Sequence, residues 1–138
     1  MTYRYLEHMT DAFIEVTGQT LEEAFEIAGI AVVDTILDVR SVEKKEKRKI
    51  EIKSRDLNNL LYSWLEEVII LTITEGFAGS VFQVHITKPE QYVLDAIVIG
   101  EEVDLERHHF KVEIKAPTFH LMEIKDTKPV VMRFLLDL

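Results

Sequence analysis

The residues of this chain that could do chemistry are its acids and five histidines. The sequence contains no cysteine, so disulfides, thiolate zinc sites and a cysteine nucleophile are excluded. Its five glycines are scattered and form neither a dinucleotide-binding loop nor a P-loop, and no GxSxG nucleophile elbow is present. The remaining candidates lie in three short stretches, which are "EHMTD", "GEEVDLERHH" and the final "VVMRFLLDL".

The last stretch places two negative charges side by side, on Asp137 and on the terminal carboxylate of Leu138. Alternation along a strand puts Asp137 on the same face as Leu135 and Arg133. Two carboxylates held close together favour a proton or a cation between them, and a hard divalent cation with oxygen ligands would supply that charge. Arg133 could supply it as well. The pattern alone leaves both possibilities open.

The other two stretches have simpler explanations. Glu7, His8 and Asp11 in "EHMTD" could converge on one point if the segment turns, but such residues also form ordinary polar turns. The second stretch, "GEEVDLERHH", joins two predicted strands. Its charged residues are expected to form an ion network that fixes a loop rather than a catalytic site, namely Asp104, Glu106, Arg107 and His108.

Two helices and a series of strands must position these residues. Thr20 and Glu23 form a capping-box pair at the start of "TLEEAFEIAGIAVVDTIL", and Asp56 precedes a second amphipathic helix that contains the chain's one tryptophan, Trp64. We expect Trp64 to anchor the core. From residue 80 onward, alternating segments that include "HFKVEIKAP" predict strand after strand. The order predicts one α+β domain over residues 1–138, with two helices packed on a mixed, mainly antiparallel β-sheet.

Charge and composition narrow the function classes. The net charge of −9 argues against direct, stable nucleic-acid binding. Residues 43–55 nevertheless hold seven of the sixteen bases, which favours a solvated edge strand or a local docking surface. The amino-terminal residues lack a secretory apolar region, and no apolar run is long enough for a membrane helix. We therefore expect a cytoplasmic protein without a membrane partner.

The order of these segments resembles the archease family. The resemblance rests on "YLEHMTDAFIEVTGQTLEEAFEIAGIA", "DLNNLLYSWLEEVIIL", "GEEVDLERHHFKVEIKAPTFH" and the terminal "LLDL". It implies an α+β fold and a partner role, because archeases activate the RtcB-type tRNA-splicing RNA ligase. They promote its guanylation and multiple turnover and can broaden the nucleotide that it uses. The resemblance therefore implies an activator without a catalytic residue of its own.

The resemblance also implies a metal site. The family's ligands map to Asp11, Asp137 and Leu138, the last through its terminal carboxylate, and the ion would be a divalent cation such as calcium, its physiological identity unknown. His8 and His120 are candidates to support these ligands. The sequence departs from the family pattern at "HMTDA" and "APTFH", but the register of the aspartate is kept.

Two other functions stay open at this stage. One is a metal-dependent phosphoesterase that uses Asp11, Asp137 and a histidine base. The other is a chaperone-like binding module for RNA-processing enzymes, with residues 43–55 as its docking surface. If the chain's own terminus is a metal ligand, a carboxy-terminal tag should impair function more than an amino-terminal tag does.

Overall fold

The computed structural model describes residues 2–7 and 10–138. Helix α1 (Leu21–Ile36) begins as predicted, because the Thr20 hydroxyl accepts a hydrogen bond from the amide of Glu23 at 3.1 Å. The Glu23 carboxylate in turn accepts from the amide of Gln19 at 2.7 Å. The buried residues of α1 include Phe25, Ala28, Val32 and Ile36, which recur at helical spacing and form its core-facing side.

Helix α2 (Leu57–Ile69) is capped by Asp56, whose carboxylate accepts from the amide of Asn59 at 2.8 Å. A π-helical turn, Ile70–Thr74, continues it. Trp64 is fully buried between the helices, and its indole nitrogen donates to the carbonyl oxygen of Phe25 at 2.8 Å. The prediction that Trp64 anchors the core is therefore confirmed. A short 3-10 turn, Val39–Ser41, follows α1.

The described residues form seven strands in two antiparallel sheets. The first sheet has the order β1-β2-β7-β6 and the second the order β3-β5-β4. Both helices contact strands of both sheets. This confirms the predicted α+β class and adds that the strands are divided between two sheets. The strands are β1 (Thr2–Leu6), β2 (Ala12–Gly18), β3 (Glu46–Ser54), β4 (Phe77–Thr87), β5 (Tyr92–Glu102), β6 (Ala116–Lys125) and β7 (Val130–Asp137).

One predicted strand is wrong. Residues 108–115, which include most of "HFKVEIKAP", have no regular secondary structure, and β6 begins only at Ala116. The alternation is present, but the amides of Lys111 and Val112 donate to the carbonyl oxygen of Ile36 at the end of α1, at 2.7 and 3.4 Å. The segment is therefore tied to a helix end instead of a neighbouring strand.

The pairing of β2 with β7 brings the two ends of the chain together. The two strands are antiparallel, and their first pair is Ala12 with Leu136. Continuing the same register by one residue places Asp11 opposite Asp137. Residues that are more than a hundred positions apart in the sequence thus meet at one end of the first sheet.

The two edge strands of the second sheet, β4 and β3, differ in what protects their backbone from further pairing. Glu26 and Glu22 of α1 accept hydrogen bonds from the edge amides of Val84 and Ile86, at 2.9 and 3.4 Å, and so cover β4. At the other edge, β3 carries most of the basic residues of the 43–55 segment, and its lysines are exposed. This placement fits the interpretation of a solvated edge strand that lysines protect from pairing. Within the described part of the chain, no helix is long and apolar enough to cross a membrane.

Gly100→Ala should destabilise the fold strongly. A methyl group at Gly100, in the central strand β5, would fall on the carbonyl oxygen of Ala78 and against the backbone of Gly79, and a sheet backbone cannot move away cheaply. We expect a loss of at least about 2 kcal/mol in urea denaturation. The control is Gly76→Ala, which meets no neighbour but has a positive φ of 67° and should cost about 1 kcal/mol. Equal losses for the two variants would contradict the steric explanation.

Candidate functional site

A surface cavity of about 340 Å³ lies where β2 begins and β7 ends. Asp11 and Leu138, two of the three predicted metal ligands, both line it. The structure therefore brings these two residues together, and it does so through the β2–β7 pairing. The other lining residues come from β1, from the start of β2, from the end of α1 and from the irregular segment before β6, and are Tyr5, Ala12, Asp34, Thr35 and Lys111.

The third predicted ligand, Asp137, is exposed and is not among the residues that line the cavity. Its backbone is fixed, because its carbonyl oxygen accepts from the amide of Lys115 at 2.8 Å. Among residues 2–7 and 10–138, no three side chains of His, Cys, Asp or Glu cluster in a way that could hold a metal ion. A cation here would therefore depend on the terminal carboxylate, and a donor set of carboxylate oxygens suits a hard divalent ion.

Arg133, the alternative source of positive charge for Asp137, is bound elsewhere. Its guanidinium contacts the carboxylate of Glu15 through Nε at 2.9 Å and Nη2 at 2.8 Å. Arg4 contacts the other oxygen of Glu15 at 2.8 Å. The hydrogen bond from Arg4, together with that from Arg133, lowers the pKa of Glu15. The positive charge of Arg133 is therefore paired with Glu15, which lies opposite it on β2.

Asp34 forms a wall of the cavity and already has several donors. One carboxylate oxygen accepts from the Tyr3 hydroxyl at 2.7 Å, and the other accepts from the amide of Val39 at 3.2 Å. Burial, and then the hydrogen bond to Asp34, raise the pKa of Tyr3. Tyr5 contacts the hydroxyl of Thr35 in the same way, with 2.9 Å between the two oxygens. Asp34 is thus a structural residue that attaches β1 to α1.

The two histidines predicted to support the ligands have different outcomes. His8 lies outside the described residues. His120 is exposed in an irregular part of β6, where four residues, 119–122, lie opposite the single residue Phe134 of β7. Its amide donates to the hydroxyl of Thr118 at 3.1 Å, and the residue does not line the cavity. Its proposed supporting role stays a prediction.

The predicted loop network in "GEEVDLERHH" is present, but its centre is Glu101, which the sequence did not single out. Glu101 is only 3% exposed. Its two oxygens accept from the guanidinium of Arg107 at 2.8 and 2.9 Å, and one of them also contacts Nε2 of His108 at 2.8 Å and the amide of Glu43 at 2.8 Å. These contacts, led by Arg107, hold the pKa of Glu101 far below its usual range.

The contacts of His108 determine its tautomer. The Nδ1 atom accepts from the amide of Asp104 at 3.0 Å, so the ring proton must lie on Nε2, which donates to Glu101. The Asp104 carboxylate accepts from the amides of Glu106 and Arg107, at 3.1 and 3.0 Å. The network therefore fixes the turn, as predicted, although Glu106 takes part through its backbone. The one signal in the sequence for Glu101 is an acid at a strand end, followed six and seven residues later by Arg and His.

Glu101→Gln should remove a pH-dependent part of the stability. Because the folded pKa of Glu101 is lowered, its stabilisation is complete above the ordinary glutamate pKa of 4.5 and is lost as the pH falls further. We expect the variant to lose about 2 kcal/mol or more near pH 7, and the difference from wild type to shrink as the pH falls below about 4. Urea denaturation over this pH range measures both effects.

Glu43→Gln provides the matched control. The side chain of Glu43 is exposed and contacts Lys45, also exposed, at 3.1 Å. Loss of such a pair should change stability by less than about 1 kcal/mol. A Glu101→Gln variant whose stability and pH dependence match those of Glu43→Gln would contradict the central role of Glu101.

Comparisons with known proteins agree with this architecture. Residues 3–138 match the model of the Archease protein family. "Protein archease" of Pyrococcus abyssi is 44% identical over 124 residues, which cover 89% of this chain and 87% of the relative, and that of Sulfurisphaera tokodaii is 34% identical over 137 residues, covering 99% and 98%.

Solved structures give the same result. The solution structure of Methanobacterium thermoautotrophicum protein 1598 superimposes with a TM-score of 0.84 at 35% identity, covering 99% of this chain and 98% of that one. The crystal structure of a Thermotoga maritima archease, described as a possible chaperone, shares the fold, with a TM-score of 0.62 at 18% identity and coverage of 98% and 96%. On the family match and these identities, the chain belongs to the archease family.

Proposed function

We propose that this protein is a non-enzymatic activator of an RtcB-type tRNA-splicing RNA ligase. In this role it promotes guanylation of the ligase, supports multiple turnover and broadens the nucleotide that the ligase uses. The observation that carries the proposal is the meeting of Asp11 and Leu138 in one cavity, in a chain of the archease family. In this proposal Asp11, Asp137 and the terminal carboxylate of Leu138 bind a divalent cation.

The described surroundings support a cation site in three ways. The two cavity carboxylates belong to residues that lie directly beside the paired ends of β2 and β7. The guanidinium of Arg133 contacts Glu15, so its positive charge does not balance the negative charge of Asp137. Asp34, the other acid of the cavity, is bound by Tyr3 and Val39. When bound, a hard cation would supply positive charge for phosphate oxygens of a nucleotide or for shared coordination with a partner's ligands.

The chain's own residues hold this site at the surface. The backbone of Asp137 is bound to Lys115, while its side chain is exposed at the end of β7. A ligand set at a strand end, with Asp137 exposed and Asp11 and Leu138 partly exposed, can approach a partner protein, whereas a deeply buried site could not. This geometry supports a role in which the site acts on a partner and not on a substrate enclosed by the chain itself.

A chaperone-like binding module is the second candidate, because the Thermotoga maritima relative is described as a possible chaperone. Affinity capture of the protein with its native partners separates the two functions. One dominant ligase partner supports the activator role, and many unrelated clients support the chaperone role.

The activator function should depend on the side chain of Asp137 and on the position of the terminal carboxylate. Asp137→Ala removes one ligand, and one residue added after Leu138 moves the terminal carboxylate away from Asp11. We expect either change to reduce stimulation of the partner ligase by about tenfold or more in a multiple-turnover ligation assay, since losing even a group that only supports a metal ligand costs about 10- to 100-fold in affinity or activity.

Asp126→Ala serves as the matched control, because Asp126 is an exposed acid in the turn between β6 and β7. It should stimulate the ligase as wild type does. If Asp137→Ala and the extended chain also stimulate at the wild-type level, the proposed site has no part in activation. Hydrolysis of phosphoesters by the isolated protein, abolished by Asp11→Ala, would instead support an enzyme.

A further inference from the structure

Lys111 shares the cavity with Asp11 and Leu138. Its ammonium donates to the carbonyl oxygen of Asp34 at 2.8 Å and lies 3.8 Å from the Asp34 carboxylate. The side chain is half exposed. A fixed positive charge therefore lies in the same cavity as the two carboxylates that would bind a cation.

The backbone of Lys111 is held as firmly as its side chain. Its amide donates to the carbonyl oxygen of Ile36 at 2.7 Å, at the end of α1. Just before it, the carbonyl oxygen of His108 accepts from the amide of Asp38 at 2.8 Å, which fastens the same turn to the residues after α1. Lys111 therefore follows directly after a turn that is itself fastened to the residues after α1.

That turn is fixed by the buried carboxylate of Glu101. Arg107 and His108 both contact Glu101, and both lie within four residues of Lys111. Burying a carboxylate is costly unless its oxygens are fully bound, and here they are. Glu101 thus holds the turn whose backbone leads directly into Lys111.

We propose that Lys111 weakens cation binding at the Asp11–Leu138 site, and that Glu101 is the positioning residue that keeps Lys111 there. The inference rests on the proposed cation site and adds a control on its affinity. An ammonium that lines the same cavity repels a divalent ion. The ion is then held loosely, so it exchanges readily with the oxygen ligands of a partner.

The direction in which the calcium affinity changes when Lys111 is replaced tests the proposal. Calcium chloride is titrated calorimetrically into the protein at neutral pH. Lys111→Met should bind calcium about threefold to tenfold more tightly than wild type, because a repelling charge at a half-exposed position has been removed. Lys111→Arg keeps the charge and should bind calcium with wild-type affinity. Lys47→Met, which removes an exposed lysine of β3 in the other sheet, should also leave the affinity unchanged.

The positioning role of Glu101 is tested by combining two substitutions. Glu101→Gln alone should tighten calcium binding in the same direction as Lys111→Met, to a smaller extent. Added to Lys111→Met, it should bring no further gain, because the charge that it positions is already absent. A purely structural role for Glu101 would instead weaken calcium binding equally in both backgrounds, which would overturn the positioning part.

The outcomes separate this inference from the proposed function. If wild type binds calcium and Lys111→Met binds it equally or more weakly, the proposed role of Lys111 is wrong while the cation site stands. If wild type and Lys111→Met both fail to bind calcium, and manganese in a parallel titration, the cation site and this inference are both overturned. Tighter binding by Lys111→Met, with wild-type affinity in Lys111→Arg, supports both.

Discussion

The antiparallel pairing of β2 with β7 is the constraint on which the rest of the structure depends. It joins a strand that starts at residue 12 to one that ends at residue 137, and it links the β1–β2 pair to the β6–β7 pair in one sheet. Fixing such distant segments is entropically costly, and the buried side chains of both strands, such as Ile14, Val16, Met132 and Phe134, provide the hydrophobic compensation. The candidate site is a direct consequence, because the same register places Asp11 beside the end of β7.

A second constraint acts on the opposite wall of the cavity. The segment before β6 has no regular secondary structure, so its position cannot come from a ladder of strand hydrogen bonds. Hydrogen bonds to the carbonyl oxygen of Ile36 hold this segment, and the buried carboxylate of Glu101 holds the Arg107–His108 turn that precedes it. Lys111 then reaches the cavity from a loop that is hydrogen-bonded to the end of α1. The site is thus built by a sheet on one side and by a charged network on the other.

The helices could be predicted from the sequence, while the placement of the charges could not. Thr20, Asp56 and Trp64 act as their local patterns indicate, because helix caps and apolar spacing are short-range properties. Alternation in residues 110–115 matched a strand, but whether an extended segment pairs with a strand or with a helix end depends on tertiary structure. Glu101 was missed because acidic residues are rarely buried, so the sequence alone did not indicate a buried one. The pairing of Arg133 with Glu15 depends on the register of β2 and β7, which the sequence did not reveal. The ligand set Asp11, Asp137 and Leu138 came from the family resemblance, and its role as a cation site remains a proposal.

In the proposed site, residues from both ends of the chain bind one divalent cation. Crystals grown with calcium chloride, with anomalous scattering recorded for the ion, test this most directly. We expect a single ion beside the end of β7, with oxygen atoms of Asp11, Asp137 and the terminal carboxylate of Leu138 at roughly 2.4 Å. Calcium found only elsewhere on the surface would contradict the proposed site. A cavity in which Lys111 binds the terminal carboxylate and no ion is found would contradict it as well.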